Sequence, residues 1–232
     1  MKRYIVIGAS SGIGHEVARL LIARGEKVAA VARRVERMPE GALVFGHDVR
    51  DFEAIPGLFQ GICHQLGGLD GIIYCSGVMH LVEPNEFNFE KDHEMIEVNV
   101  SGAIAWLNQA ATRFQNVGAG TIVAIGSVAG ERGRQGQPVY NASKAALATY
   151  MEALRNRLSR HGVKVVTIKP GPTETEMTAG LGLKKMMPVS LAAELILKKM
   201  ERNGEHFLNP IHRLIFLVIR NIPSPIFRKL KL

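Results

Sequence analysis

Tyr140 and Lys144 stand four residues apart in QPVYNASKAAL. Side chains at i and i+4 share one face of a helix, so a phenol and an ammonium can enter a common site. A free tyrosine, with a pKa of about 10, is a poor base at neutral pH, and a neighbouring cation stabilises its phenolate. The spacing therefore allows acid/base chemistry. It equally describes a surface ring lying on a lysine stem. A second stretch, GASSGIG from Gly8, follows an apolar run. Together the two point to redox chemistry on a bound nucleotide.

Gly8, Gly12 and Gly14 follow a strand expected over Tyr4–Ile7 and precede a helix expected over His15–Arg24. Without β-carbons the backbone can turn sharply and approach a pyrophosphate, while free N–H groups and the positive end of the helix dipole face the anion. The spacing is Gly-x-x-x-Gly-x-Gly rather than the usual dinucleotide fingerprint, Gly-x-Gly-x-x-Gly. A tight turn without a ligand is the plain alternative. The second strand ends VAAVARRVER, so Ala32, Arg33 and Arg34 stand where an acid would hold the ribose 2′-hydroxyl of NAD. Guanidinium groups there can pair with a 2′-phosphate, which favours NADP (NADPH) over NAD. A solvated basic loop is the alternative, stronger for Arg34 than for Arg33.

A frame must hold these residues. Short apolar runs alternate with helical patterns: KRYIVIG, GHEVARLLIARG, KVAAVA, GALVFG, DFEAIPGLFQGICHQLG, GLDGIIYCSG, and later GTIVAIGS and GVKVVTIKPG. That order predicts a parallel sheet, and strands nearly continuous in Val, Ile and Ala predict helices covering both faces. Gly25 after LLIAR and Gly162 after RLSRH are placed to end helices in the left-handed conformation.

A chain of 232 residues, 47% hydrophobic and 22% charged, can bury one substantial core and is expected to form one domain. Two cysteines, Cys63 and Cys75, provide neither a disulfide framework nor a metal cluster, so no metal site is expected and a reducing cytoplasm fits. The opening MKRYIVIGAS runs straight into an apolar strand with no long signal-type core, and export is not expected. The net charge of +8 is concentrated between Lys198 and Leu232, where eight Lys/Arg meet two acids. The body is nearly neutral and carries no aromatic or motif support for nucleic acid, so no nucleic-acid partner is expected.

With Asn99 in VNVSG, Ser127 in IVAIGSVAG, YNASK and KPGPTET added to GASSGIG, the chain from about Arg3 to about Met200 resembles the short-chain dehydrogenases/reductases. The resemblance implies an α/β, Rossmann-type doubly wound parallel sheet in a single domain. It implies an oxidoreductase, NADP-linked on the arginine argument, interconverting a carbonyl and a secondary alcohol on a small apolar substrate. Tyr140 is then the general acid in reduction and the base in oxidation. Lys144 holds the nicotinamide ribose hydroxyls and lowers the tyrosine pKa, Ser127 positions and polarises the carbonyl, and Asn99 holds a water in a proton relay. The implied cofactor contacts are Gly8, Ser10, Ser11, Gly12, Ile13 and Gly14 in the phosphate loop, with Arg33 and Arg34 beyond it. Asp48 and Val49 bracket the adenine, Ser76 and Gly77 follow the fourth strand, and Tyr140 and Lys144 reach the ribose. Pro170, Gly171, Thr173 and Thr175 lie beside the carboxamide and pyrophosphate.

Plainer roles exist for several of these residues. Asp48 can cap a helix beginning near Asp51, Asn99 can bond to backbone, Ser127 can be a strand-end hydroxyl, and Thr173 and Thr175 can cap a loop. Two departures from the family pattern matter. Its Asn-Asn-Ala-Gly is here Tyr74-Cys75-Ser76-Gly77, which removes asparagines that tie strands together. Ser11 stands where NADP-using relatives often carry Lys or Arg, leaving most of the 2′-phosphate pairing to Arg33. Cys75, after a buried strand, reads as a small hydrophobe rather than a redox thiol.

EMTAGLGLKKMMPVS falls where the family forms a substrate lid. Met177, Met186 and Met187 can line an adaptable apolar pocket or simply pack the lid. Lys184 and Lys185 can attract an anionic substrate or form a solvated pair. Beyond a catalytic domain at 1–210, residues 211–232 read as a basic amphipathic extension and not an independent domain. Ile211–Ile222 is apolar around most of a helix, with His212, Arg213 and Arg220 on the remainder, and is too short to span a bilayer. It can lie in a membrane interface with Arg228, Lys229 and Lys231 near anionic headgroups, fold over the substrate pocket, or form a dimer seam. The resemblance implies a homo-oligomer, and the altered C-terminus points to a homodimer rather than a tetramer. The competing functional reading is a non-catalytic nucleotide-binding or membrane-associated interaction protein on the same scaffold.

Overall fold

The computed structural model describes residues 1–183 and 185–230, so Lys184 and Lys231 lie outside the described residues. Among the described residues seven strands form one sheet: β1 Arg3–Ile7, β2 Lys27–Ala32, β3 Leu43–Gly46, β4 Gly71–Tyr74, β5 Gly120–Ile125, β6 Val163–Lys169 and β7 Gly204–Phe207. Every pairing is parallel, in the order β3-β2-β1-β4-β5-β6-β7. The connecting helices are α1 Gly12–Ala23, α2 Ile55–Leu66, α3 Phe89–Ile96, α4 Gly102–Val117, α5 Pro138–Leu158 and α6 Val189–Lys199, followed by α7 Pro210–Asn221 and α8 Ser224–Phe227.

Strand alternation explains why both faces are apolar. Tyr4 and Val6 of β1 pack with Val17 and Leu21 of α1 and Ala193 and Ile196 of α6. Ile5 and Ile7 point the other way, into a core with Phe59 of α2, Trp106 of α4 and Leu147 and Met151 of α5. Successive side chains on a strand project to opposite faces, so a strand covered on both sides must be apolar throughout. This is the parallel sheet covered on both faces that the strand pattern predicts, and the single-domain, doubly wound fold that the family resemblance implies.

Ile7 at the end of β1 pairs with Val31 of β2 on one side and Tyr74 of β4 on the other. From β1 the chain winds out to β2 and β3, then returns to the opposite side of β1 as β4. At such a reversal a crevice opens beyond the carboxyl ends of the strands.

Two boundaries differ from expectation. α1 begins at Gly12, not His15, because Gly12 and Gly14 belong to its first turn. α2 begins at Ile55 rather than near Asp51, since Asp51 Oδ1 accepts from the Ala54 N–H at 3.3 Å in the turn before it. Gly25 and Gly162 do adopt left-handed φ values of +78° and +65°. No helix among the described residues is long and apolar enough to cross a membrane.

Candidate functional site

A pocket of about 260 Å³ opens at the crevice beyond β1 and β4. Its walls include the phosphate loop (Gly8, Ser10, Ser11, Gly12, Ile13, Gly14), Arg33, Arg34, Asp48, Val49, Ser76 and Gly77. Ser127, Tyr140, Lys144, Pro170, Gly171, Thr173 and Thr175 complete the opposite end. Thus every cofactor residue expected from the sequence, with Ser127, borders one cavity. Asn99 does not border it and sits behind it.

The phosphate loop leaves no room for side chains. A β-carbon on Gly14 would stand 2.1 Å from the Gly8 carbonyl oxygen, and one on Gly8 would stand 2.6 Å from the Ser76 backbone nitrogen. Gly8 and Gly12 also take φ values of +85° and +53°, a region that glycine enters without steric cost. The start of α1 therefore presents bare backbone to the pocket.

At the acid/base end, α5 begins at Pro138, so Tyr140 and Lys144 lie on successive turns of one helix face. Lys144 is buried, and its Nζ donates to the Ile125 carbonyl at 3.1 Å while lying 5.7 Å from the centroid of the Tyr140 ring. Burial pushes the lysine pKa down to about 8. The Tyr140 pKa is raised, because burial outweighs the Ser127 hydroxyl and the more distant Arg134 charge, both of which act the other way. That corrects the expected lowering by Lys144: here the lysine charge is itself discouraged by burial. The phenol is held in its protonated form.

Ser127 caps the short 3₁₀ turn Val128–Glu131, its Oγ accepting from the Ala129 N–H at 3.0 Å. Its own hydroxyl hydrogen is left available as a donor. The turn seats directly on α5, since a β-carbon on Gly130 would come within 2.7 Å of the Lys144 backbone carbon. Close packing of these two segments fixes Ser127 relative to Tyr140.

Asn99 is fully buried in a π-helical turn, Glu97–Ser101, between α3 and α4. Its Oδ1 accepts from the Val78 N–H at 2.8 Å, while Nδ2 donates to the Val78 carbonyl at 2.9 Å and to Ser143 Oγ at 3.0 Å. Both amide hydrogens are thus spent within the protein, and the side chain braces the loop after β4 against α5. Tyr74, at the first position of the departed pattern, makes a tie of its own: its buried hydroxyl donates to the Val98 carbonyl at 2.6 Å. Cys75 is half-buried and borders the pocket, and burial pushes its thiol up to about 12, so nothing activates it as a redox thiol.

At the far end the two arginines divide differently from expectation. Arg34 turns inward and donates from Nη2 to Ser11 Oγ at 2.8 Å, while its Nη1 meets Glu176 at 3.1 Å. Arg33 lies 3.8 Å from Asp48 and is the more exposed of the two. Arg50 holds the Asp48 carboxyl down to about 2. Asp48 forms a local turn by accepting from the Arg50 N–H at 3.0 Å and caps no helix.

Thr173 Oγ1 donates to the Gly171 carbonyl at 3.1 Å, and the Thr175 N–H donates to Thr178 Oγ1 at 3.1 Å, so both threonines brace the loop. Met177 borders the pocket. Met187 instead packs against the α1–α6 core, beside its bridge to Thr173.

Three features escaped the sequence reading. His47 borders the pocket and carries a buried Nε2 without a protein partner. Glu176 clasps both Arg34 and Arg37. A buried ion cluster joins Lys169 to Glu131 at 2.5 Å and to Glu205 at 2.7 Å, with Arg220 of α7 bonded to Glu131. None of these follows from local pattern: the two ion clusters pair residues far apart in the chain, and the His47 orphan comes from burial.

His212 likewise departs from expectation. Instead of a polar outer face, it is on the inner face of α7, pressed so close that a β-carbon on Gly171 would stand 2.3 Å from its Cε1.

The short chain dehydrogenase family model matches residues 2–185. An uncharacterised oxidoreductase of Myxococcus xanthus (strain DK1622) is 31% identical over 236 residues, spanning 96% of this chain and 93% of that protein. Another, from Mycobacterium tuberculosis (strain ATCC 25618 / H37Rv), is 31% identical over 191 residues, 77% of this chain and 76% of its own. Among solved structures, a short chain dehydrogenase from Burkholderia cenocepacia J2315 in complex with NADP superposes with a TM-score of 0.84 at 22% identity, over 95% of each chain. A short-chain type dehydrogenase/reductase from Mycobacterium marinum gives a TM-score of 0.80 at 25% identity, over 88% of this chain and 92% of that one. With motif order, fold and match in agreement, this chain belongs to the short-chain dehydrogenase/reductase family and is an oxidoreductase of that family.

Proposed function

We propose that the protein is an NADP-dependent oxidoreductase interconverting a carbonyl and a secondary alcohol on a small apolar substrate, with Tyr140 as general acid/base. The observation that carries this reading is the meeting of Tyr140, Ser127 and Lys144 at one end of a pocket whose other end is a bare glycine loop flanked by Arg33 and Arg34.

The donor set suits a nicotinamide dinucleotide. Side chains at Gly8 and Gly14 would fill the cradle that a pyrophosphate needs. A β-carbon on Gly77 would crowd both Lys144 Nζ and Asn99 Oδ1 at 3.3 Å. Ser10, Ser11, Gly12 and Ile13 would bind the phosphates, Asp48 and Val49 the adenine, and Arg33 with Arg34 a 2′-phosphate. Lys144 would hold the ribose hydroxyls, with Ser76, Gly77, Pro170, Gly171, Thr173 and Thr175 around the nicotinamide half. When bound, the cofactor supplies or accepts the hydride. The NADP held by the Burkholderia relative agrees with the arginine argument.

The protein's own contribution is a proton and its placement. A raised Tyr140 pKa keeps the phenol protonated at neutral pH, the state from which it donates to a carbonyl oxygen. Ser127, fixed through its bond to Ala129, donates to the same oxygen and stabilises its developing charge. In the oxidative direction Tyr140 takes the proton back. Asn99 keeps α5 and the loop after β4 in register. Met177 gives the mouth an apolar, adaptable lining.

The same reading places the protein in the cytoplasm as a homodimer. Residues 211–232 are an extension of the catalytic domain that meets a membrane surface. The test of the catalytic reading is NADPH oxidation with a panel of aldehydes, ketones and quinones. Turnover of at least one is expected; tight NADPH binding without turnover of any would favour the non-catalytic scaffold.

A further inference from the structure

α7 is anchored on one side and bare on the other. Inward, His212 presses on Gly171, Phe216 stacks on Phe207 at 6.4 Å, and Arg220 bonds to Glu131. Arg132 secures the end of the helix by donating to the Ile219 carbonyl at 2.5 Å, and it lies 3.9 Å over the Phe227 ring of α8. Outward, Ile211, Leu214, Ile215, Leu217 and Val218 form a contiguous apolar face, with Leu214 67% and Val218 60% exposed. Ile226 of α8 is exposed as well.

Beside that face a cleft of about 690 Å³ runs between α7 and the end of α6, lined by the cations Lys199, Arg202, Arg213 and Arg220, the carboxylates Glu131 and Glu205, and the apolar Pro210 and Leu217 among others. Arg220 is committed to Glu131 and Glu205. Lys199, Arg202 and Arg213 have no acidic partner among the described residues. The cleft thus offers three free cations next to Leu217 and Pro210, an arrangement that matches an anionic headgroup joined to an acyl chain.

We propose that this cleft takes the phosphate headgroup of an anionic phospholipid while the outer face of α7 enters the adjoining acyl region, seating the protein on an anionic bilayer. The inference rests on the reading of residues 211–232 as peripheral to a membrane and names the lipid class and the cations that select it. Charge decides the occupant. From His206 to Leu232 the sequence has no Asp or Glu and five Lys/Arg, so two copies packed through this segment would set like charge against like charge. Negative headgroups complement it instead. Because the inner face of α7 abuts the Gly171 loop, the bilayer would lie next to the segment that borders the pocket, a favourable position for taking up apolar carbonyl compounds.

The test is cosedimentation of the full chain with vesicles of phosphatidylglycerol and phosphatidylcholine, against vesicles of phosphatidylcholine alone, alongside NADPH oxidation measured without vesicles. We expect strong partition onto the anionic vesicles, weakened by salt. The Arg202→Glu/Arg213→Glu double variant should lose at least about tenfold in partition, and Leu214→Glu/Val218→Glu should lose a similar factor. Both should keep turnover of a water-soluble carbonyl substrate. Partition that needs the α7 face but ignores the cleft charges would overturn the headgroup site while leaving the peripheral reading standing. Absence of partition, with Leu214→Glu/Val218→Glu converting a dimer to a monomer in sedimentation velocity, would overturn both and assign the face to a second copy. Loss of soluble turnover in the unaltered chain would count against the oxidoreductase reading alone.

Discussion

Lys144 Nζ lies 5.7 Å from the centroid of the Tyr140 ring and donates its hydrogen bond to a backbone carbonyl, that of Ile125, rather than to a carboxylate. A buried ammonium with only a neutral partner is costly, and the lysine pKa accordingly falls to about 8. Tyr140 stays protonated because burial raises its pKa by more than the Ser127 hydroxyl lowers it. The pair is thus poised for a ligand that adds acceptors around Lys144.

This arrangement has a measurable cost in the ligand-free protein. Between about pH 8 and 10.5 the unfolded chain holds a proton on Lys144 that the folded chain lacks. Stability contributed through this group therefore rises with pH across that window. We predict that Lys144→Met stabilises the ligand-free protein at pH 7 by about 1–3 kcal/mol, that this advantage shrinks towards pH 10, and that activity is lost. Thermal unfolding at the two pH values checks it; a destabilised variant at pH 7 would contradict the assignment of a strained cation.

Cofactor choice depends on two arginines rather than one. Arg34 reaches Ser11 on the phosphate loop and Arg33 faces Asp48. Arg33→Ala and Arg34→Ala should each weaken NADPH by about 10- to 100-fold, the loss of a charge-assisted bond, and NADH by less than about threefold. Isothermal titration with both cofactors decides the matter. Equal losses for NADPH and NADH would remove the 2′-phosphate argument.

Gly14→Ala tests the cradle. Its β-carbon would press on the Gly8 carbonyl oxygen at 2.1 Å, a backbone atom that can yield only by moving the loop. We expect about 1–3 kcal/mol of lost stability together with at least tenfold weaker NADPH binding. Unchanged affinity in titration would show that the loop does not approach the cofactor.

Much of this was legible in the sequence because it is local. The glycine loop, the Tyr140–Lys144 spacing and the continuous apolar strands such as Tyr4–Ile7 are determined within a few residues by backbone geometry and helical or strand periodicity. What was not legible depends on pairs brought together by the fold. Whether Arg34 faced the pocket or pointed away was left open by the sequence, and Ser11 and Glu176 draw it inward. The Tyr140 pKa was expected to fall through its lysine neighbour, but burial of both groups decides it and burial is a tertiary property. Nothing local marks Glu131 and Lys169 as a pair; their significance appears only when Arg220 closes the cluster from another part of the chain. α1 begins three residues early for a similar reason: its first turn, from Gly12, is set by Gly14 packing against the Gly8 carbonyl and Gly12 lying against Thr175.

The proton donor is the centre of the account, and Tyr140→Phe tests it most directly because it removes one hydroxyl and keeps the ring. Steady-state NADPH oxidation with any active carbonyl substrate should show kcat reduced by about 10²- to 10⁴-fold, while the NADPH Kd stays within about threefold. Turnover by the variant equal to that of the natural protein would contradict the assignment of Tyr140 as the general acid.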